Sequence, residues 1–213
     1  MATTEKMTIH KGLAELKILD DRIKRAIEDA VFCQVNIEKN KEIEGLSIED
    51  YENKIIRASF DKVTDLDNRR MAIKTAINQS NAVTKINIGD KEYTVAVAIW
   101  LKQYGMETKR EKLNTMRTQF SLCRKKADKH NELRAEKAEK YVLELYSTKD
   151  KVDSKEITEE KNKHVAANTM KILDPVGIQK QIELLENEIS EFMANIDAAL
   201  SVSNAITEIE ISY

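Results

Sequence analysis

Apolar residues recur every three or four positions along most of the chain, a pattern that indicates long amphipathic helices. The pattern predicts four helices, over about residues 8–35, 48–79, 95–146 and 175–203. The second and third are preceded by the capping residues Ser47 and Thr94, and Asp174-Pro175 begins the fourth. The fourth has the most regular seam, with steps of three and four at Ile178, Ile182, Leu185, Ile189, Phe192, Ile196 and Ala199. A seam of this kind is typical of coiled-coil packing.

Two segments carry β signals instead. Residues 84–94 predict a hairpin, with Gly89-Asp90 as its two-residue turn. Residues 207–211 alternate polar and apolar side chains, which predicts a C-terminal strand. Residues 147–173 are charged at first and have no clear period, and they predict a loop with some helix or extended structure.

A duplicated segment links these elements. Residues 73–88, IKTAINQSNAVTKINI, match residues 196–211, IDAALSVSNAITEIEI, at a constant offset of 123 positions. Each copy predicts a helix end followed by a strand, and the two strands with residues 91–94 predict one small three-stranded sheet. A paired ligand site at the two Ser-Asn motifs is the alternative interpretation. The expected helix caps, with the two asparagines in the left-handed conformation, are Ser80, Asn81, Thr84, Ser203, Asn204 and Thr207.

Composition agrees with a helical architecture. The 213 residues include one Pro and five Gly, and 34% are charged, which suits long helices with narrow apolar seams and wide solvated faces. We therefore expect a mainly α protein, a single helical domain over residues 1–213. Its expected form is an elongated antiparallel bundle or coiled coil with a three-stranded β end-cap.

Two stretches resemble a known family. INQSNAVTKINIGDKEYTVAVAIWLKQ and ELLENEISEFMANIDAALSVSNAITEIEI are similar to the septicolysin-like family of small helical bacterial and phage-encoded proteins. The resemblance implies a fold more than an activity, and nothing in these residues supports the pore formation that the family name implies. The Lys/Glu/Ile/Asn-rich composition also resembles that of phage proteins, so we expect a phage or prophage origin. The matching positions are Asn78, Ser80, Asn81, Thr84, Gly89, Thr94, Asn204 and Thr207.

Charge is unevenly distributed along the chain. Lys102–Lys140 holds twelve Lys or Arg and six Asp or Glu, whereas Gln181–Tyr213 holds seven Asp or Glu and no Lys or Arg. We expect the basic helix to lie beside the acidic one, in the same chain or in a neighbouring subunit. Nucleic-acid binding centred on Arg124-Lys125-Lys126 is less favoured, since aromatic residues suited to base stacking are scarce around these cations.

The sequence predicts no catalytic, cofactor or metal site. His10, His130 and His164 have no Cys or carboxylate partners at metal-ligand spacing. Cys33 and Cys123 lie in apolar-periodic segments and are expected to be buried thiols. A ligand or partner junction, if one exists, is expected beside the hairpin at Lys91, Trp100, Lys102 and Tyr104.

Long apolar helix seams together with the lack of a recognisable catalytic motif favour a non-enzymatic function. We expect a phage- or prophage-encoded structural or interaction protein that works as a homo-oligomer of helices with an unidentified protein partner. The alternative is a phage counter-defence protein that binds a host defence protein or sequesters a nucleotide signal. No apolar stretch approaches the length of a membrane span, so the expected location is the bacterial cytoplasm, or the virion for a structural protein.

Overall fold

The computed structural model describes residues 4–147 and 153–213, apart from the side chain of Ala135. These residues are mainly helical, which confirms the predicted fold class at that level. The helices are α1 Ile9–Glu28, α2 Ile48–Tyr51, α3 Ala58–Val83, α4 Val95–Trp100, α5 Met106–Tyr146, α6 Ser154–Asn168 and α7 Ile178–Ile206. Short π-helical segments join α2 to α3 and α4 to α5, at Glu52–Arg57 and Leu101–Gly105. The strands are β1 Thr4–Thr8, β2 Glu42–Ile43, β3 Leu46–Ser47, β4 Lys85–Ile88, β5 Lys91–Thr94 and β6 Glu208–Ser212.

Helix α1 ends earlier than the periodicity predicts. The N–H of its capping residue Asp29 donates to the carbonyl of Arg25, and the chain then leaves the helix. The amide of Val31 donates to Ser59 Oγ at 3.4 Å, so a tertiary contact with α3 replaces the next helical turn. Part of the ambiguous stretch 147–173 forms α6, whereas residues 148–152 lie outside the described residues.

The chain forms two compact units. The first consists of residues up to Gln103 together with Glu191–Tyr213, and the second is Tyr104–Ser190. The described strands all lie in the first unit, with α1 to α4 and the end of α7. The second contains α5, α6 and the beginning of α7. The expectation of a single helical domain stays a prediction.

The predicted three-stranded end-cap is wrong, because the strands form separate two-stranded antiparallel sheets. Strand β4 pairs with β5 as the hairpin signal predicts, but β6 pairs with the N-terminal strand β1. Met7 lies opposite Ile209 in this pairing, and Lys6 opposite Glu210 with 3.6 Å between the charged atoms. Cross-strand apolar and opposite-charge pairs of this kind stabilise a sheet. Since Met7 is the one buried residue of β1, the strand has too little alternation to be recognised from sequence.

The two larger sheets are copies of one arrangement. In one sheet the amide of Val95 donates to the carbonyl of Thr84, and in the other the amide of Ile9 donates to that of Thr207, both at 2.9 Å. Adding 123 to the residue numbers of β4 gives those of β6, and adding 86 to the numbers of β1 gives those of β5. Every pair of opposite residues in the hairpin then has its equivalent pair between β1 and β6. The chain is therefore two halves, residues 4–88 and 91–212. Each is built as strand, helices, strand, and each pairs both strands with the other half.

Burial follows the same correspondence. Ile73 of α3 and its counterpart Ile196 of α7 are both fully buried. Ile9 and its counterpart Val95 are each only 1% exposed. One buried cluster joins β1 and β6 to α1 and α3. Its members are Met7, Ile9, Leu19, Ile23, Ile73, Ile77, Ile209 and Ile211.

Ion pairs join α5 to α7 in the second unit. Lys109 Nζ lies 3.0 Å from a carboxylate oxygen of Glu188, and Arg117 pairs with Glu186. The basic helix thus lies beside the acidic one within the same chain, as the charge distribution predicts.

A glycine of α1 packs tightly against α3. An added Cβ at Gly12 would lie 3.3 Å from Ile73 Cγ2 and 3.4 Å from Ile77 Cδ1. The corresponding residue of the other half is Ala98, which is fully buried. The arrangement therefore accommodates a methyl group at this position, but the tight contacts leave no room for a branched side chain.

We expect Gly12→Val to lower the free energy of unfolding by about 2–3 kcal/mol, because a branched side chain overpacks this contact. Gly12→Ala should change it by less than about 1 kcal/mol, since the gain in helix propensity offsets the tight contact. Urea unfolding of both variants, with Ala98→Gly as the reciprocal control, measures the difference. Equal stability of Gly12→Val and wild type would contradict the close packing of α1 on α3.

Candidate functional site

The two Ser-Asn motifs lie in the last turns of α3 and α7. Helix α3 continues through Ser80 and Asn81 until the amide of Thr84 donates to the carbonyl of Ser80 at 2.8 Å. Helix α7 continues in the same way until the amide of Thr207 donates to that of Ser203 at 2.9 Å. Neither asparagine has a positive φ, which differs from the left-handed caps expected from sequence. The threonines end the helices because their extended backbone begins the strands.

A groove lies between α7 and β4, and we call it the β4 groove. Its cavity volume is about 520 Å³. The residues that line it lie around the strand of the first copy of the duplicated segment and along the helix of the second copy. They are Thr84, Lys85, Ile86, Asn87, Gly89, Asn195, Ala198, Ala199, Val202, Ser203, Ile206 and Thr207.

The corresponding groove, formed by the other helix and the other strand of the duplicated segments, lies between α3 and β6, and we call it the β6 groove. Its cavity volume is about 420 Å³. Shifting its Ala72, Thr75, Ala76 and Gln79 by 123 positions gives four residues that line the β4 groove. The two grooves are therefore equivalent by the internal duplication. The residues that line the β6 groove are Asn68, Met71, Ala72, Thr75, Ala76, Gln79, Glu210, Ile211, Ser212 and Tyr213.

The direction of β4 along α7 is fixed at the hairpin turn. Gly89 has a φ of +58°, and a Cβ there would clash with the carboxylate of Glu191. Tyr93 of β5 meets Phe192 edge to face, with ring centroids 5.9 Å apart. Thr84, which precedes the strand, lines the groove with Ile206 and Thr207 at the end of α7. Strand β4 therefore runs antiparallel to α7.

The linings of the two grooves differ in polarity. Ala198 and Val202 of the β4 groove correspond to Thr75 and Gln79 of the β6 groove. All four residues are exposed, so the packing of the helices does not explain the difference. The β4 groove is the more apolar of the two and the better candidate for binding another molecule.

Tyr213, which lines the β6 groove, belongs to an ionic cluster. Arg69 of α3 donates to Glu5 of β1 at 2.9 Å, to Glu15 of α1 and to the hydroxyl of Tyr213. Its guanidinium carbon also lies 4.9 Å from the centroid of the Tyr213 ring. The side chain of Arg69 is only 19% exposed, so Arg69 holds Tyr213 at this groove.

The ion pairs shift the pKa values of Arg69 and Glu5 towards their charged forms. Its hydrogen bond to Glu15, followed by that to Glu5, raises the pKa of the Arg69 guanidinium against the opposing effect of burial. Hydrogen bonds from Arg69 and then from Lys11 lower the pKa of the Glu5 carboxyl below its ordinary value of 4.5. Both shifts favour the charged forms and therefore the folded state at neutral pH.

The junction expected at Lys91, Trp100, Lys102 and Tyr104 does not line either groove. Lys102 pairs with Asp197, Trp100 is 55% exposed, and Tyr104 belongs to the second unit. A nucleotide-binding role for these residues stays a prediction. The grooves themselves could have been found from sequence only by applying the duplication to the face of each helix.

Both cysteines are exposed, so their predicted burial is wrong. Cys33 follows the early end of α1, and Cys123 borders a cleft between α5 and residues 170–173. His130 accepts a hydrogen bond from Arg134, and His164 stacks on Tyr141 with ring centroids 4.3 Å apart. Within the described residues, no three His, Cys, Asp or Glu side chains form a metal-binding group.

Comparison of the chain with protein-family models, with curated proteins and with solved structures finds no match. The resemblance to the septicolysin-like family therefore stays a prediction. Among the described residues, no helix is both long and apolar enough to cross a membrane.

Arg69→Ala should lower the free energy of unfolding by about 1–2 kcal/mol at neutral pH, because it removes the guanidinium that the half-buried carboxylates of Glu5 and Glu15 share and leaves Glu5 only its pair with Lys11. Below the ordinary pKa of 4.5 the loss should shrink, since Glu5 is then protonated in the unfolded state and progressively in the folded state. Urea unfolding at several pH values measures both effects. Arg70→Ala is the matched control, because Arg70 forms only exposed pairs with Asp20 and Asp67. An equal loss for both variants would contradict the role given to Arg69.

The hairpin register predicts how proline is tolerated. Asn87 directs its N–H away from β5, whereas Lys91 pairs with Ile88 and directs its N–H towards β4. Asn87→Pro should therefore cost less than about 1 kcal/mol, and Lys91→Pro about 2 kcal/mol more, because it removes a hydrogen bond of the sheet. Thermal unfolding measures this, with Asn87→Ala and Lys91→Ala correcting for the lost side chains. The reverse order would show that the outer edge of β4 is misassigned.

Proposed function

We propose that this chain is a non-enzymatic structural or interaction protein, phage- or prophage-encoded, that works as a helical oligomer. The observation that carries the proposal is an exposed apolar surface in the second unit. Leu173 is 93% exposed and Val176 is 62% exposed, although both are large apolar residues. Exposed apolar clusters of this kind mark sites of contact with another protein.

The surface continues onto α5. Two cavities, of about 180 and 220 Å³, lie between this helix and the segment that carries Leu173. A partner would find here apolar side chains beside two depressions. The apolar residues that line the first cavity are Met116, Phe120, Cys123, Ile172, Leu173, Pro175, Val176 and Ile178.

Hydrogen bonds hold the segment in place at both ends. Asn131 of α5 donates to the carbonyl of Met170 at 3.1 Å and accepts from its amide at 2.8 Å. Asp174 accepts from the amide of Ile178 at 2.7 Å and caps α7. Leu173 is therefore presented from a fixed backbone, which reduces the entropy lost on binding. We propose that a second copy of the chain covers it.

Sedimentation velocity at micromolar concentration tests the proposal. We expect wild type to sediment as an oligomer and Leu173→Glu to sediment as a monomer, because a buried unpaired carboxylate is costly at an apolar interface. Val83→Glu is the matched control, since Val83 is comparably exposed but lies in the first unit. A monomeric wild type, or a Leu173→Glu variant that remains oligomeric, would contradict the proposal.

A further inference from the structure

Among the described residues, no strand pairs with the outer edge of β4, which lies along the β4 groove. The carbonyl of Thr84 accepts a hydrogen bond from the amide of Val95, and main-chain groups alternate in direction along a strand. The N–H and C=O groups of Ile86 and Ile88, at every second residue from Thr84, therefore point towards β5. Lys85 and Asn87 therefore direct their N–H and C=O groups the other way. Both residues line the groove. The groove thus offers a row of main-chain donors and acceptors to which a further strand could bond.

The wall opposite this edge is apolar and narrow. Ala198, Val202 and Ile206 stand one helical turn apart on α7, and all three are exposed. Lys85 is the one charged residue in the lining, and its ammonium lies 2.8 Å from a carboxylate oxygen of Glu92. The charge of the lining is therefore already neutralised within the hairpin. A complementary occupant would be uncharged, with apolar side chains on the face turned to α7.

One polar atom at the groove lacks a partner among the described residues. Ser203 is only 5% exposed, and its hydroxyl forms no hydrogen bond. Its counterpart Ser80 lies 3.3 Å from the hydroxyl of Thr84. Buried hydroxyl groups are ordinarily hydrogen-bonded, so the two copies of the motif differ at this buried position. The open strand edge and the apolar wall are what the groove offers an occupant.

We propose that the β4 groove binds an extended, uncharged peptide segment of a partner protein, which adds to β4 as a third strand. Main-chain bonds to Lys85 and Asn87 would hold the segment, and its alternate side chains would pack on Ala198, Val202 and Ile206. The four residues of β4 give such a strand a length of about 13 Å. This inference rests on the proposed function, because it names the chemistry of a protein partner.

The internal duplication explains why we assign binding to this groove alone. The β6 groove has Thr75 and Gln79 where the β4 groove has Ala198 and Val202. It also holds the ring of Tyr213 beside Arg69. An apolar strand would therefore find a more polar wall there, with the ring of Tyr213 held at the groove by Arg69.

The experiment uses the full chain labelled with ¹⁵N and a capped hexapeptide, Ser-Val-Thr-Val-Ser-Val, as the probe. We expect the peptide to shift the amide resonances of Lys85 and Asn87 and to slow their hydrogen exchange by about tenfold or more. Val202→Glu should abolish both effects, because it places a charge on the apolar wall. Gln79→Glu is the matched control at the equivalent exposed position of α3, and it should leave both effects unchanged.

Four results would overturn the inference. They are the absence of shifts at millimolar peptide, shifts centred on the β6 groove, binding that survives Val202→Glu, and protection of Lys85 and Asn87 by a second copy of the chain without peptide. Circular dichroism of both variants establishes that they are folded. Repeating the titration with Leu173→Glu separates this inference from the proposed function. If a monomeric variant binds the peptide, the β4 groove is a binding site even where the proposed oligomer does not form. If an intact oligomer does not bind the peptide, the inference about the β4 groove is wrong and the proposed function is unaffected.

Discussion

Each half of the chain gives both of its strands to the other half, and the first unit depends on this exchange. An isolated two-stranded sheet is marginally stable in water, so β1–β6 and β4–β5 must gain stability from the helices beside them. They do so through Ile209 and Ile211 on one side and Ile86 and Ile88 on the other, all of which are buried. Pairing and helix packing therefore support each other, and neither half completes its sheet or its core alone.

The exchange also determines where the molecule has free surface. A two-stranded sheet has two outer edges, and beside each of the two larger sheets a helix of one half forms a groove with a strand of the other half. The same connection that ends α3 at Thr84 and α7 at Thr207 thus places an open strand edge beside an exposed helix face. The grooves follow from the architecture, whereas their binding properties follow from the side chains on each helix.

Sequence signals that act over a few residues predict many of the helices and the hairpin. They do not predict which strands pair when the strands are far apart in the chain. Thr94 and the Gly89-Asp90 turn located the hairpin, because capping and turn chemistry act over a few residues. The partner of β6 lies some two hundred residues away in β1, and β1 has a single buried apolar side chain. The duplication was recognised at 73–88 and 196–211, but its second element, Thr8-Ile9 against Thr94-Val95, is too short to be seen without the structure. The grooves were missed for the same reason, since they require both parts of the duplication.

Two copies of one arrangement in a single chain show which residues the fold itself requires. Positions that end the helices or fill the core carry the same or similar residues in both halves, as at Thr84 and Thr207 or Ile73 and Ile196. The exposed groove positions differ, with Thr75 and Gln79 in one half and Ala198 and Val202 in the other. Because both halves satisfy the same backbone constraints, the fold does not dictate this difference. The apolar wall of the β4 groove is therefore better explained by what it contacts than by what it stabilises. At the equivalent β6 groove, Arg69 of α3 donates a hydrogen bond to Tyr213, the residue that follows β6.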